Sequence, residues 1–157
     1  MELVNREIGL AQRLDEGASL FLMGPRGVGK TALARHYLAG RDDTLAINLL
    51  DPDLYQRYLR TPAQFRSDVL GSLGSERLLV FLDEIQKVPA LLDVVHLLYE
   101  EQRGRLQFLL TGSSARKLRR GAANLLAGRV LAARLHPLTH RELPLPLDKL
   151  LRVGSLP

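Results

Sequence analysis

The sequence has 157 residues, of which 46% are hydrophobic and 25% are charged, with a formal net charge of +5 and no cysteine. A chain of this length buries about 68–70% of its unfolded surface, so we expect one domain with a proper core and exclude two large domains. Without cysteine the chain has no disulfide, thiolate zinc site or cysteine nucleophile, and we expect a cytoplasmic location. No apolar run reaches the ~18 residues of a membrane-spanning helix, and the N-terminus lacks the apolar region of a signal peptide. We therefore expect no membrane partner.

The positive charge is confined to the last third of the chain. Residues 1–102 contain 11 Lys and Arg against 15 Asp and Glu, whereas residues 103–157 contain 11 against 2. The basic stretch at residues 116–120 could attract nucleic acid electrostatically. However, aromatic residues, on which bases would stack, make up only 5% of the chain. A solvated surface is the favoured interpretation of this stretch, and nucleic acid stays the less favoured partner.

Apolar runs alternate with amphipathic segments along the chain. Helices are predicted within residues 2–16, at 30–38, at 62–70 with Thr61 as N-cap, and from Pro89 onward. Buried strands are predicted at residues 19–23, 44–50, 78–82, 106–110 and 130–135. Continuous apolar strands separated by helices are typical of a parallel sheet covered on both faces, so we predict an open three-layer α/β/α fold. Ligands of such sheets bind at the carboxyl ends of the strands.

The first predicted strand is followed by a segment that matches G-x-x-x-x-G-K-[ST], the phosphate loop. Its glycines let the backbone wrap an anion with N–H groups, and the helix that follows offers its positive end. Lys30 is expected to reach the β- and γ-phosphates, and the Thr31 hydroxyl is expected to bind Mg²⁺. The alternative, an ordinary glycine turn, is disfavoured by the strand before and the helix after it. The residues predicted to bind the nucleotide are Gly24, Pro25, Arg26, Gly27, Val28, Gly29, Lys30 and Thr31.

Two adjacent acids, Asp83 and Glu84, follow the third predicted strand. In this context Asp83 would hold Mg²⁺ directly or through water. Glu84 would polarise a water molecule for attack on the γ-phosphate. A second acid indicates hydrolysis rather than nucleotide binding alone. The alternative is a solvated turn at the end of a strand, which the phosphate loop makes less attractive.

The fourth predicted strand ends in Thr111, Gly112, Ser113 and Ser114. If this strand lies between the first and the third, one of these hydroxyl groups would face the attacking water or the γ-phosphate, and Ser113 is the catalytic candidate. The competing interpretation is that Ser113 or Ser114 caps the next helix.

An arginine from the same chain or from a neighbour often stabilises the charge that develops during phosphoryl transfer. Arg129, just before the fifth predicted strand, is the best candidate. Arg26 is a weaker one because its position in the loop usually points outward. The alternative for Arg129 is a surface or interdomain ion pair.

Five ordered blocks of the sequence resemble the bacterial and archaeal AAA-family ATP-binding proteins that carry a C-terminal domain of unknown function. The blocks are GPRGVGKT at 24–31, FLDEIQKVPALL at 81–92, LLTGSSARKL at 109–118, LLAGR at 125–129 and LHPLTHREL at 135–143. The resemblance implies a P-loop NTPase core with strand order 2-3-4-1-5. It also implies that a core at residues 1–136 continues, through residues 137–157, into a further domain that this sequence lacks. That missing domain, ATP and a homo-oligomer are the expected partners.

These observations together predict an AAA-type ATPase domain that binds ATP and Mg²⁺ and hydrolyses ATP to ADP and phosphate, slowly if the missing domain contributes to turnover. A nucleotide-gated interaction or DNA-associated switch with little hydrolysis is one alternative. A small-molecule phosphotransferase is another, although Glu84 stands where a hydrolytic base belongs. Adenine is preferred to guanine from the resemblance, and because no Asn is followed by Lys in a guanine-reading Asn-Lys-x-Asp element.

Overall fold

The computed structural model describes residues 6–113 and 128–142. Its strands form one parallel sheet in the order β2-β3-β4-β1-β5. The strands are β1 (Ser19–Met23), β2 (Thr44–Asn48), β3 (Leu78–Asp83), β4 (Leu106–Gly112) and β5 (Val130–Arg134). Both the five predicted strands and the order implied by the resemblance are confirmed, and the strand ends differ from the predicted ones by no more than two residues.

Helices cover both faces of the sheet. They are α1 (Leu10–Asp15), α2 (Lys30–Leu38), α3 (Pro52–Arg60), α4 (Pro62–Ser72) and α5 (Leu91–Glu101), with a short 3₁₀ turn at Ile85–Lys87. Strand β3 shows how the two layers form. Leu78, Val80 and Leu82 pack into the cluster under α3, α4 and α5, whereas Leu79 and Phe81 pack with α1 and α2. A strand that is apolar on both sides is therefore buried on both sides, as the continuous run predicts.

Helix α3 is missing from the predicted elements. Its start is nevertheless marked in the sequence, because the Asp51 side chain accepts the N–H of Asp53 at 2.9 Å and Pro52 occupies the first turn. Leu54, Tyr55 and Tyr58 recur at helical spacing within α3 and pack on the core, so the apolar face of this helix is present in the sequence although the prediction omits it. The predicted helix cap at Thr61 is partly corrected: Thr61 precedes α4, but its side chain makes no capping hydrogen bond.

The strand register brings the functional candidates to one edge of the sheet. Met23 at the end of β1 lies beside Gly112, and Leu82 near the end of β3 lies beside Leu110. Because β4 stands between β1 and β3, the segments that leave these three strands emerge side by side. The phosphate loop, the acidic pair and the polar end of β4 therefore meet.

Candidate active site

The phosphate loop (residues 24–31) carries the chain from β1 into α2. Gly27 and Gly29 have φ angles of 82° and 87°, a left-handed conformation that L side chains rarely adopt. Pro25, Arg26 and Gly27 are exposed at the tip, whereas Val28 is fully buried and anchors the loop. The exposed position of Arg26 agrees with the expectation that it points outward.

Gly24 is held against the residue that follows β5. A Cβ atom at Gly24 would lie 2.3 Å from the backbone oxygen of Leu135. Leu135 in turn donates its N–H to the Met23 carbonyl at 2.7 Å. Since this close approach leaves no room for a side chain, the loop begins on a rigid backbone contact.

Lys30 lies beneath the loop and is only 4% exposed. Its Nζ donates to the carbonyl oxygens of Gly24 at 3.0 Å and Pro25 at 2.8 Å. Burial lowers the pKa of Lys30, while the charges of Glu84 and Asp83 oppose that shift. The loop thus contains a buried cation next to the edge where the acidic pair lies.

Asp83 is fully buried and connects three segments. Its carboxylate accepts the Thr31 hydroxyl at 2.9 and 3.1 Å, and it also accepts the hydroxyl of Thr111. A carboxylate and a hydroxyl are the hard oxygen ligands that Mg²⁺ takes, usually one or two protein oxygens together with substrate phosphates. Thr31 and Asp83 therefore fit the predicted metal site.

Glu84 has the only positive φ among the described residues other than glycine, at 61°. Its N–H donates to the Thr111 hydroxyl at 3.0 Å, and its carboxylate accepts the side-chain amide of Gln86. Strained backbone of this kind costs about 1–3 kcal/mol and concentrates at functional sites. The conformation places Glu84 beside Asp83 and next to the end of β4.

The end of β4 contributes to the site through two different groups. Thr111 is fully buried and its hydroxyl joins Asp83 to the Glu84 backbone. Ser113 is half-buried, and its N–H donates to the Gln86 side-chain oxygen at 3.2 Å. Ser114 lies outside the described residues. Among the hydroxyls considered in the sequence, Thr111 is thus the one bonded to the acidic pair, while the catalytic role of Ser113 stays a prediction.

Arg129 does not lie near the phosphate loop of its own chain. Its neighbour Val130 pairs with Ser19 at the start of β1, so roughly 20 Å of strand separates Arg129 from the loop. The Arg129 Nε donates to Glu100 at 2.5 Å. Hydrogen bonds from Arg129 and Arg103 lower the pKa of Glu100 to about 2. The expectation that Arg129 could lie beside the γ-phosphate of its own chain is therefore wrong. Arg129 instead forms a surface ion pair with Glu100, near the amino-terminal ends of the strands and opposite the phosphate loop.

Two residues that contact the site are missing from the sequence-based candidates. Gln86 bridges Glu84 and Ser113, and its position two residues after an acidic pair was a usable signal. Arg6 donates to the carbonyl of Val28 in the loop at 2.9 Å and to Glu142 at 2.9 Å. These partners are 22 and 136 residues away in the sequence, so no local pattern could indicate them. The basic stretch at residues 116–120 lies outside the described part of the chain.

Comparison with known families and proteins agrees with this geometry. A family model described as an AAA domain matches residues 16–144. The uncharacterized proteins Mb2031c of Mycobacterium bovis and Rv2008c of Mycobacterium tuberculosis are each 30% identical to the chain over 149 residues. These alignments cover 94% of this chain but 32% of each mycobacterial protein. The chain thus spans about a third of the length of these relatives.

Solved structures share the fold at low sequence identity. The Aeropyrum pernix ORC1 protein, solved in complex with DNA, gives a TM-score of 0.65 at 16% identity and covers 96% of this chain and 49% of its own. PCH-2 of C. elegans gives 0.56 at 17% identity, with coverage of 94% and 46%. Across residues 6–113 and 128–142, no helix has the length and hydropathy needed to cross a membrane.

Proposed function

The chain belongs to the AAA domain family, and we propose that it binds ATP with Mg²⁺ and hydrolyses the nucleotide to ADP and phosphate. The observation that carries this proposal is the contact between the Thr31 hydroxyl and the Asp83 carboxylate at 2.9 Å, beside the buried Lys30. A phosphate-binding loop, a cation and a pair of hard oxygen ligands are the parts that phosphoryl transfer requires.

Binding of the phosphates falls to the loop and to Lys30. The loop supplies backbone N–H groups, and α2 begins with its positive end at the same place. The Nζ of Lys30 would exchange its two carbonyl partners for phosphate oxygens, which are stronger acceptors because they are charged. Thr31 and Asp83 would hold Mg²⁺, which when bound neutralises charge on the β- and γ-phosphates.

Glu84 is the residue that we assign to activate water. It is adjacent to Asp83 and 9% exposed, and a carboxylate at that position can accept a proton from an attacking water. General bases of this kind typically contribute 10²–10⁴-fold to the rate. Thr111 fixes the backbone of Glu84, and Ser113 remains the candidate for contact with the γ-phosphate.

Complete turnover is proposed to need more than the described chain. Arg129 lies away from the loop of its own chain, so we propose a homo-oligomer in which a neighbouring chain supplies the arginine to each nucleotide. A further domain is the other proposed partner. We propose a cytoplasmic location for this activity, in keeping with the absence of cysteine.

The direct test measures phosphate release and nucleotide affinity on the same protein. With Mg²⁺ and ATP, Glu84→Gln should retain affinity and lose at least 10²-fold in turnover. Glu76→Gln is the matched control, since Glu76 is exposed and lies before β3. Phosphate release that is unchanged in Glu84→Gln would reject Glu84 as the base, and a wild-type chain without affinity for ATP or ADP would reject the function.

A nucleotide-gated switch with little hydrolysis is the second candidate. It is favoured by the Gln86 amide, which engages the Glu84 carboxylate. A base held in this way would leave ATP bound and intact until a partner displaced Gln86. A rise in melting temperature with Mg²⁺ and ATP, without phosphate release, is the outcome that selects this function over hydrolysis.

A further inference from the structure

The Arg6 side chain joins three segments that are distant in sequence. Its guanidinium donates to the Val28 carbonyl in the phosphate loop at 2.9 Å, to Glu142 at 2.9 Å and to the His136 carbonyl at 2.5 Å. Glu142 also accepts the N–H groups of Glu7 and Thr139, each at 2.9 Å. Arg6 and Glu142 therefore connect the phosphate loop to residues near both ends of the described chain, at Glu7 and at residues 136–142.

We propose that Arg6 and Glu142 act as a positioning pair that fixes the orientation of the phosphate loop for polyphosphate and couples it to residues 136–142. The proposal rests on the proposed function, because it concerns the affinity of the same loop. Arg6 acts through the backbone of Val28, so it is a positioning residue.

Peptide geometry explains how the contact between Arg6 and the Val28 carbonyl affects the N–H groups with which the loop would bind phosphate. The described residues contain no cis peptide bond, and in a planar trans peptide the C=O and the next N–H point in opposite directions. Because Arg6 holds the Val28 carbonyl, the N–H of Gly29 must point away from Arg6. Gly29 precedes α2 directly, where backbone N–H groups receive anions. Arg6 therefore orients the N–H of Gly29, which is one of the donors that a bound phosphate would use.

Burial makes this contact specific. The side chains of Arg6 and Glu142 are 6% and 5% exposed, whereas those of the surface pair Arg66 and Glu101 are 41% and 32% exposed. A guanidinium removed from water needs most of its donors bonded, so its three partners restrict it to one geometry. Arg66 and Glu101 join α4 to α5, away from the loop, and supply a matched control.

The same contacts extend the effect to the segment after β5. Leu138 is buried, and Thr139 and Glu142 exchange hydrogen bonds through their side chains and backbone. If phosphate binding stabilises the loop in its bonded form, it must by linkage also stabilise residues 136–142. Residues 136–142 would then report nucleotide occupancy to whatever structure follows them.

The test uses Mg²⁺ with ADP and Mg²⁺ with inorganic pyrophosphate as probes, because pyrophosphate has no base or sugar and therefore reports on the phosphate site alone. Arg6→Ala should weaken both ligands by roughly tenfold or more, the effect of losing a charged hydrogen-bond donor. Arg6→Lys, which retains the charge but not the three-way contact, should fall between. Arg66→Ala should bind both probes as the wild type does.

Amide hydrogen exchange on the nucleotide-free protein gives a second measurement. Exchange at Gly29 should be faster in Arg6→Ala and in Arg6→Lys than in the wild type or Arg66→Ala. In the wild type, pyrophosphate should slow exchange at Glu7 and Thr139. If Arg6→Ala does not fold, Arg6→Lys decides both measurements.

The outcomes separate this inference from the proposed function. Affinities within twofold of the wild type in a folded Arg6 variant would overturn the positioning role. A wild-type protein that binds neither probe would overturn the proposed function, and Gly29 exchange in the Arg6 variants would then decide whether the pair orients the loop.

Discussion

The Thr31 hydroxyl lies 2.9 Å from the Asp83 carboxylate, although 52 residues separate the two in sequence. Thr31 leaves the phosphate loop at the start of α2, and Asp83 ends β3. Strand β4 stands between β1 and β3, and its Thr111 donates to the same carboxylate. The hydroxyl and the carboxylate are thus brought together by the order of the strands rather than by a local turn.

This pair predicts a Mg²⁺-dependent effect of Thr31→Ala. Loss of the hydroxyl should lower the affinity for Mg²⁺-ATP by roughly 10–100-fold, the range expected for an interaction with a charged group. Affinity for ATP measured in EDTA should change far less, because the metal is then absent. Calorimetric titrations with and without Mg²⁺ provide the comparison, and Thr31→Ser should behave as the wild type. An equal loss under both conditions would contradict the metal role.

Because Lys30 is buried, we predict that the affinity for nucleotide falls at alkaline pH. Burial lowers its pKa from the ordinary value of 10.5, against the opposing charges of Glu84 and Asp83. Phosphate binding needs the charged form, so the affinity for ADP should fall as pH rises, starting below the pH at which an ordinary lysine titrates. Lys30→Arg should flatten this part of the profile because arginine stays protonated. Equal slopes in the two proteins would exclude Lys30 as the titrating group.

Gln86 predicts a separation of turnover from affinity. Its amide donates to Glu84, and its oxygen accepts the Ser113 N–H. Gln86→Ala should free the Glu84 carboxylate and raise the hydrolysis rate, by up to roughly tenfold if the lost bond is one to a charged group. The affinity for ATP should stay unchanged, since no loop contact is altered. Gln64→Ala, in α4, is the control, and slower hydrolysis would show instead that Gln86 supports the proposed role of Glu84.

The sequence predicted those parts of the site that lie within short motifs. Lys30 and Thr31 follow a loop pattern, and Asp83 ends an apolar strand, so each was indicated by its neighbours in the chain. Their meeting at one edge required the strand order, which the family resemblance supplied. Arg6 was missed because its contacts join segments that are distant in the sequence. Gln86 was missed although its position two residues after the acidic pair was a local signal.

Arg129 is a case in which the predicted elements contained more than was inferred from them. Its place before β5 was predicted correctly, and in a parallel sheet a residue that precedes a strand lies at the end opposite the ligand-binding carboxyl ends. The predicted sheet therefore already placed Arg129 away from the phosphates of its own chain. The register of Val130 with Ser19 agrees with that position.

Glu142 predicts a contribution to stability that is lost in acid. Burial raises its pKa, but hydrogen bonds from Thr139, Glu7 and Arg6 outweigh this effect and lower the pKa to about 2. A carboxyl with a lowered pKa stabilises the fold fully above its unfolded pKa of 4.5, and this stabilisation disappears as pH falls towards 2. The free energy of unfolding, measured with urea between pH 2 and 7, should fall less in acid for Glu142→Gln than for the wild type. Glu101→Gln, in an exposed pair, should follow the wild-type curve, and parallel curves for all three proteins would contradict the assignment.

We predict that no side chain is tolerated at Gly24, where the phosphate loop begins. The Cβ of Gly24→Ala would lie 2.3 Å from the Leu135 carbonyl oxygen, which belongs to backbone and cannot rotate away. Overpacking of this kind costs about 1–3 kcal/mol, or roughly 2–12 °C in melting temperature for a domain of this size.

Gly71, near the end of α4, provides the matched control because nothing lies within 4 Å of its Cβ position. Gly71→Ala should stabilise the protein by about 0.5–1 kcal/mol, since alanine restricts the unfolded chain and favours the helix. Thermal unfolding of the two variants should therefore shift in opposite directions. Gly24→Ala should also weaken pyrophosphate binding, because the only relief for the contact is to move the loop away from Leu135. A variant that melts and binds as the wild type does would mean that the segment after β5 yields instead, and that the loop does not depend on it.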